Sequence, residues 1–455
     1  MTLLDPIDFG DNPYLVGPHA PIRKELDQPD LKVVGQVPND FSGIYLRNGP
    51  NQIHPPRGTY HWFDGDGMVH GAEFAEGRVS YRNKWINTKG LRQEQKIGQS
   101  LWPGLMDSPD RSLNEAWGSD RWLKDNSNTD LTIHAGRAIS TFYQCGEAYA
   151  IDPLSLETLG TLDLLSGGGR LMSAHCMTDE QTGDLLFFDY AAKPPYMTYG
   201  VFNKDVNLVH HTAIDLPGAR LPHTLAFTTN YSILMDLPMF WDPELLQKDV
   251  HKVSFYPDKA SRFGLITRFG EGESIKWFEA DPCYIYHAIN AWEEGNEVVL
   301  DVCRMSTPVP SEAKKQRLAG PYGSMLAWLK LDASYHRYRF NLVSGETKEN
   351  TLSDLLSEFP VINNRFGGLP SRYSYHVTLA DTDAILFDGL VKIDSKTTQH
   401  QEYKFPEGCF GSESQFAPRK NAQSEDDGYL ITLVTNMKTG KGEIQIFPAE
   451  DLTRG

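Results

Sequence analysis

Three histidines in this chain share one kind of setting. His175 ends the run Met172-Ser-Ala-His and precedes a polar turn, Asp179–Gly183, and the apolar stretch Leu185–Tyr190. His223 lies in Arg220-Leu-Pro-His-Thr, shortly before a second turn and Tyr231–Leu237. His287 sits in Asp281-Pro-Cys-Tyr-Ile-Tyr-His-Ala-Ile-Asn-Ala-Trp292, where Ile285, His287 and Ile289 alternate with Tyr284, Tyr286 and Ala288. Each histidine stands before a turn and a further strand, and the intervals of 48 and 64 residues each resemble one supersecondary unit. Distant imidazoles carried on rigid strands make a metal site without any local motif. Such ligands need an acceptor for the second ring nitrogen, to fix tautomer and orientation. Glu358, before Phe359-Pro360, and Glu413, in Phe410-Gly-Ser-Glu, are candidates. Taken singly, each histidine also reads as a core residue and each glutamate as a solvated carboxylate.

The elements that must position these groups read as β throughout. Short apolar or alternating segments recur at Asp130–Ile133, Ala138–Tyr143, Ala148–Ile151, Leu185–Tyr190 and Leu208–Ile214. They continue through Tyr231–Leu237, Leu265–Phe269, Val298–Val302, Arg337–Leu342, Ala384–Phe387, Gly389–Ile393 and Leu430–Thr435, separated by turns bearing Asp, Asn and Gly. Tyr284–Trp292 and Val298–Val302 form a hairpin across Glu293-Glu-Gly-Asn296, and Asp64-Gly-Asp-Gly67 reads as a tight turn rather than a calcium loop. Helical patterning is confined to Pro243–Asp249 and Leu352–Glu358. This rhythm indicates an all-β sandwich series or a propeller in one domain. A formal charge of −17 argues against nucleic acid. No apolar stretch of about 18 residues and no signal-peptide pattern is present, and five scattered cysteines without a CxxC pair read as reduced thiols. A cytoplasmic location follows as an expectation.

The chain resembles the carotenoid cleavage oxygenase family over nearly its whole length. The resemblance is carried in order by Gly43-Ile-Tyr-Leu-Arg-Asn-Gly-Pro50, Phe63-Asp-Gly-Asp-Gly-Met68, Ser173-Ala-His175, Tyr286-His-Ala-Ile-Asn-Ala-Trp-Glu-Glu294, Glu358-Phe-Pro360 and Glu425-Asp-Asp-Gly-Tyr-Leu430. It implies a seven-bladed β-propeller with a loop and helix cap over one face, and Fe(II) on the axis held by four histidines, several braced by glutamates. His175, His223 and His287 match the first three ligand positions, and Glu358 and Glu413 match two of the glutamates. Thr129 matches a position beside an open iron site. The implied activity is O2-dependent cleavage of a double bond in a carotenoid or apocarotenoid to two carbonyl products. Stilbene or phenylpropenoid cleavage is the alternative within the family. A polyene-binding propeller without chemistry is the alternative outside enzymes.

Departures from the family pattern are specific. Gln144 stands where a third bracing glutamate is usual, with Glu147 nearby as a substitute, and Thr224 replaces an aspartate. Stilbene-cleaving members hold the phenol with a lysine and a tyrosine at positions that here read Tyr143 and Leu91, whereas Thr88–Lys96 resembles apocarotenoid-cleaving members. A polyene substrate partitions into lipid. Residues 98–124 therefore read as a candidate cap or membrane-contacting segment, in which Leu101, Trp102, Leu105 and Met106, with Trp117 and Trp122, form an apolar patch on the inner membrane face. The fourth family histidine follows the Glu425–Leu430 block. The histidines after His287 (His336, His376 and His400) all precede that block, so a final strand of roughly 20–30 residues beyond Gly455 is expected, with weak iron retention in its absence. His376 is a poor stand-in, because its segment matches a strand without a ligand.

Overall fold

A computed structural model describes residues 9–105, 107, 111–114, 124–162, 172–247, 253–309, 331–382 and 384–454. Antiparallel sheets follow one another along the chain. The first joins Asp27–Gln28, Gly43–Pro50, Gly67–Ala75 and Arg78–Trp85; the second joins Asp130–His134, Arg137–Thr141, Tyr149–Ile151 and Thr158–Thr161. The third runs Met177–Thr178, Leu185–Tyr190, Met197–Phe202 and Leu208–Ile214. Ala226–Phe227, Tyr231–Asp236, Ser261–Thr267 and Lys276–Ala280 make the fourth, and a separate hairpin, Met239–Trp241 with Val253–Phe255, is inserted into it. The fifth is Tyr284–Glu294, Glu297–Met305, Ser334–Asn341 and Thr347–Ser353. A seven-stranded sheet from Glu358–Val361 to Lys441–Pro448 completes the described strands. Strands pair mainly with sequence neighbours through short turns, which is why local turn chemistry and alternation found a good part of them, though not Met197–Phe202 or Lys276–Ala280.

Two expectations about helices need correction. Residues 352–358 are not helical: Thr347–Ser353 is an edge strand paired with Ser334–Asn341, and Glu358 starts the next strand. Seven residues cannot offset helix nucleation when a neighbouring strand offers a full ladder. Conversely, Lys89–Ile97 is an α-helix, with the Thr88 hydroxyl accepting from the Leu91 amide and Gly98 closing the end at φ 82°. Of the segment 243–249, Pro243–Leu246 is helical, capped by the Asp242 carboxylate. The turn at Asp64–Gly67 is preceded by a short 3-10 turn, Trp62–Asp64, rather than by a strand.

Within the 98–124 segment, residues 100–103 are buried, while Gly98, Gln99, Arg111, Leu113 and Asn114 are exposed. Leu101 and Trp102 are 7% and 3% exposed and lie against each other. The Leu101 amide donates to the buried Glu94 carboxylate at 2.8 Å, and Glu94 and Asp66 both hold the Lys124 ammonium. Leu105 is half-buried against Phe142, Tyr143 and Ala174, its amide bound to Asp64 at 2.9 Å. Leu101 and Trp102 are therefore not an exposed membrane patch: both are buried, and the Leu101 amide is tied to the buried Glu94–Lys124–Asp66 cluster. Met106, Trp117 and Trp122 lie outside the described residues. Among the described residues no helix is long and apolar enough to cross a membrane.

Candidate metal centre

The three histidines, Thr129 and Glu358 come from the first strand, or its approach, in successive sheets, whereas Glu413 lies in Cys409–Pro418 and Gln144 in a turn. Thr129 and Asp130 open the second sheet, His175 precedes Met177–Thr178, His223 precedes Ala226–Phe227, His287 lies in Tyr284–Glu294, and Glu358 begins Glu358–Val361. The ligand-capable nitrogens of His175, His223 and His287 all lie within 4.8 Å of one another. The Nε2 atoms of His175 and His223 are 3.1 Å apart. Two imidazole nitrogens bound at right angles about 2.1 Å from one ion would stand about 3.0 Å apart, so the pair fits a common ion.

Local structure explains how each imidazole arrives. In the hairpin, Ile285 pairs with Arg304 but Ala288 pairs with Val302, so Tyr286 and His287 together oppose one residue. That bulge breaks the simple alternation, and both Tyr286 and His287 line the same cavity. His175 sits at φ +59°, a left-handed conformation unusual for histidine. Its backbone amide donates to the Asp130 carboxylate at 3.1 Å, and its Nδ1 lies 3.6 Å from the same oxygen. Sequence reasoning passed over Asp130; its adjacency to Thr129 at a strand start was the available signal.

Electrostatics divides the three. Burial pushes His175 and His223 well below the ordinary imidazole range, with the other imidazoles adding to the effect, so both are neutral with a free lone pair. Burial pulls His287 down as well, but the charge and hydrogen bond of Glu358, with Glu413 and Asp130 behind them, outweigh it and raise the net value. The His287 Nδ1–H donates to Glu358 Oε2 at 2.6 Å, which leaves Nε2 for the cavity. Glu358 is fully buried, and its other oxygen has no hydrogen-bond partner among the described residues.

The cavity has a volume of about 70 Å³ and is walled by Trp62, Phe63, Tyr286 and Phe359, with Thr129 and Glu413 at its edge. That is several times the roughly 10–15 Å³ that one water requires, so an ion and small ligands beside it fit. Thr129 Oγ1 accepts the Tyr143 amide at 3.2 Å and donates to Asn128 at 3.1 Å. Glu413 influences His287 and Asp130 by charge. Gln144 is buried in the turn after Arg137–Thr141, beside Tyr143, whose ring centre is 6.1 Å from that of His223. Glu147 is committed to Lys89 and to the Tyr149 hydroxyl, and Thr224 donates to the Leu225 carbonyl. Leu91 is buried with Ile53, Met68 and Trp85, away from the cavity lining. His376 stands outside the cluster, its ring held by Ser374 at 2.8 Å and Ser357 at 3.3 Å.

Neutral imidazoles leave a bound divalent ion its full charge, and the class this geometry fits is the histidine-rich metal centre on a β scaffold. The family model described as retinal pigment epithelial membrane protein (RPE65) matches residues 19–454. A carotenoid 9,10(9',10')-cleavage dioxygenase of Phaseolus vulgaris is 32% identical over 474 residues, covering 97% of this chain and 85% of the relative. An isoeugenol monooxygenase of Pseudomonas nitroreducens is 28% identical over 466 residues, covering 98% and 94%. Among solved structures, a lignostilbene dioxygenase of Pseudomonas brassicacearum superposes with a TM-score of 0.85 at 24% identity, covering 99% of this chain and 95% of that one. Cobalt-substituted apocarotenoid oxygenase of Synechocystis gives 0.81 at 24% identity, covering 96% and 92%. The chain belongs to the carotenoid cleavage oxygenase (RPE65) family. It is an enzyme of that family, with a propeller-type all-β fold.

Proposed function

We propose that this protein is a non-haem iron dioxygenase that splits a carbon–carbon double bond of a carotenoid or apocarotenoid into two carbonyl products. The observation that carries the reading is the convergence of His175, His223 and His287 on one aromatic-walled cavity. Bound there, Fe(II) would supply O2 binding and the redox chemistry that side chains lack. The chain's own part is positional. His175 and His223 offer neutral nitrogens because burial disfavours their charged forms. Glu358 fixes the tautomer of His287, so that Nε2 faces the cavity. Trp62, Phe63, Tyr286 and Phe359 exclude water and present an apolar surface to an alkene. In this reading the successive sheets are the blades of a seven-bladed propeller, the helix Lys89–Ile97 and the segment after it form its cap, Thr129 borders the open side of the ion, and Glu413 and Gln144 stand behind the ligands.

Phenylpropenoid cleavage is the second reading, favoured by the isoeugenol monooxygenase relative and its near-complete coverage. The two are separated by incubating iron-loaded protein with apocarotenals, hydroxystilbenes and isoeugenol, then identifying products by mass spectrometry. Paired carbonyl fragments from apocarotenals are the expected result. Turnover of the phenolic substrates alone would overturn the polyene assignment, and loss of all turnover in His287→Ala would tie either activity to the site.

A further inference from the structure

Of the three imidazoles, His175 and His287 each lie within 4.0 Å of a carboxylate, Asp130 and Glu358 respectively. No such pairing involves His223 among the described residues. His223 is nevertheless placed with its Nε2 3.1 Å from that of His175, on a segment that is not itself a strand. The anchors of that segment lie in its backbone and neighbouring side chains.

Two sets of contacts hold it. The hydroxyl of Tyr284, a residue 1% exposed, donates to the Leu221 carbonyl at 2.7 Å, two residues before His223. Arg220 is drawn to the buried Asp236 carboxylate, whose second oxygen takes Arg262 Nε at 2.8 Å, and the Arg220 guanidinium lies 4.1 Å from the Phe240 ring centre. Tyr284 belongs to the same strand as His287 and lies three residues before it. Its ring packs edge-on against Tyr286 at 5.0 Å, and Tyr286 packs edge-on against His223 at 4.9 Å. Tyr284 thus links the strand of His287 to the loop of His223 through its own hydrogen bond, and it backs the Tyr286 ring that packs edge-on against His223.

We propose that Tyr284 is a positioning residue that sets the spacing between His223 and His287. Its hydroxyl acts on the loop backbone in place of the carboxylate that fixes His287 directly. Tyr284 does not touch the cavity, and the Arg220–Asp236–Arg262 cluster supports the same loop from the other side. This inference rests on the reading of the three histidines as metal ligands.

The test uses Co(II) and Fe(II) titrations of the wild-type chain, His287→Ala, Tyr284→Phe and Tyr199→Phe. Tyr199 is the matched control, because its buried hydroxyl bonds the Arg268 carbonyl at 3.0 Å in a sheet region away from the cavity. Both Tyr→Phe variants should lower the melting temperature of the metal-free protein. Only Tyr284→Phe should weaken Co(II) binding, by about tenfold, and shift the visible Co(II) bands. Wild-type binding no better than that of His287→Ala would sink the metal-site reading itself. Normal wild-type binding with an unchanged affinity and spectrum in Tyr284→Phe would overturn this proposal alone. An equal loss of affinity in Tyr199→Phe would also overturn it, by showing a general stability effect.

Discussion

His287, partly buried, and His376, fully buried, lie on neighbouring parts of the fold, and the strand that begins at Glu358 connects them. Glu358 reaches His287 with its carboxylate, while its backbone lies opposite Val377, next to His376. Around His287 the surroundings are a carboxylate, two other imidazoles and a cavity. Around His376 they are the Ser374 and Ser357 hydroxyls and the Cys303 thiol, with no opening. Burial therefore does not make a histidine a ligand. What separates the two is whether one ring nitrogen is held by a strong acceptor while the other faces open space. At His376 both nitrogens are consumed by hydroxyl partners, and the group is structural.

The sharpest way to break this comparison is to remove each ring in turn. His287→Ala should reduce Co(II) or Fe(II) affinity by on the order of 100-fold or more, beyond the 10–100-fold typical of losing an outer partner. His376→Ala should leave affinity nearly unchanged while lowering stability. Isothermal titration and chemical unfolding of both variants check this, and an affinity loss in His376→Ala would undo the distinction. A smaller effect is expected from Glu358→Gln. The amide oxygen still accepts the His287 Nδ1–H but loses the charge, so affinity should fall by about tenfold, and by more in Glu358→Ala.

Ser374→Ala sharpens the other side. It leaves a fully buried imidazole nitrogen without its 2.8 Å partner, at a cost of about 1–3 kcal/mol in urea unfolding and none in metal affinity. The smallest effect is on pH dependence. Burial pushes His376 down to about 3, against an ordinary value near 6.5 for the unfolded chain. The unfolded chain therefore takes up a proton first as pH falls, and stability from this group is complete above about pH 6.5 and lost towards pH 3. His376→Gln should accordingly show a shallower loss of stability between pH 7 and pH 4.5 than wild type. Because His61 and His70 are likewise pushed down to about 3 by burial, one substitution removes only a share of the acid sensitivity. Identical slopes for variant and wild type would show that His376 is not kept neutral by the fold.

Several strands were legible because each forms with a neighbour in sequence. Leu185–Tyr190 and Leu208–Ile214 were bounded to the residue by alternation and turn chemistry alone. The helix Lys89–Ile97 was not legible. It is nine residues long, and its charged groups have different fates: Glu94 is buried against Lys124, while Lys96 is exposed. That distinction depends on residues thirty positions away. The inward packing of Leu101 and Trp102 was hidden for the same reason, since an apolar loop residue reads identically whether lipid or core covers it.

At the site, the sequence by itself determined residue types and approximate placement: three histidines before strands, a glutamate at a strand start, and a threonine at the opening of another. It also determined the family, through ordered motifs spread over the chain. Only the tertiary structure decided which nitrogens meet. The bulge at Tyr286–His287, the left-handed backbone at His175 and the Asp130 carboxylate beneath it depend on pairing between strands and across sheets. Tyr284 gave no functional sign in sequence, where it read as one more aromatic residue of an alternating strand. Its hydroxyl acquires a role only because the fold sets the Leu221 carbonyl 2.7 Å away, and hydrogen-bond geometry between residues 63 positions apart is not written in local sequence.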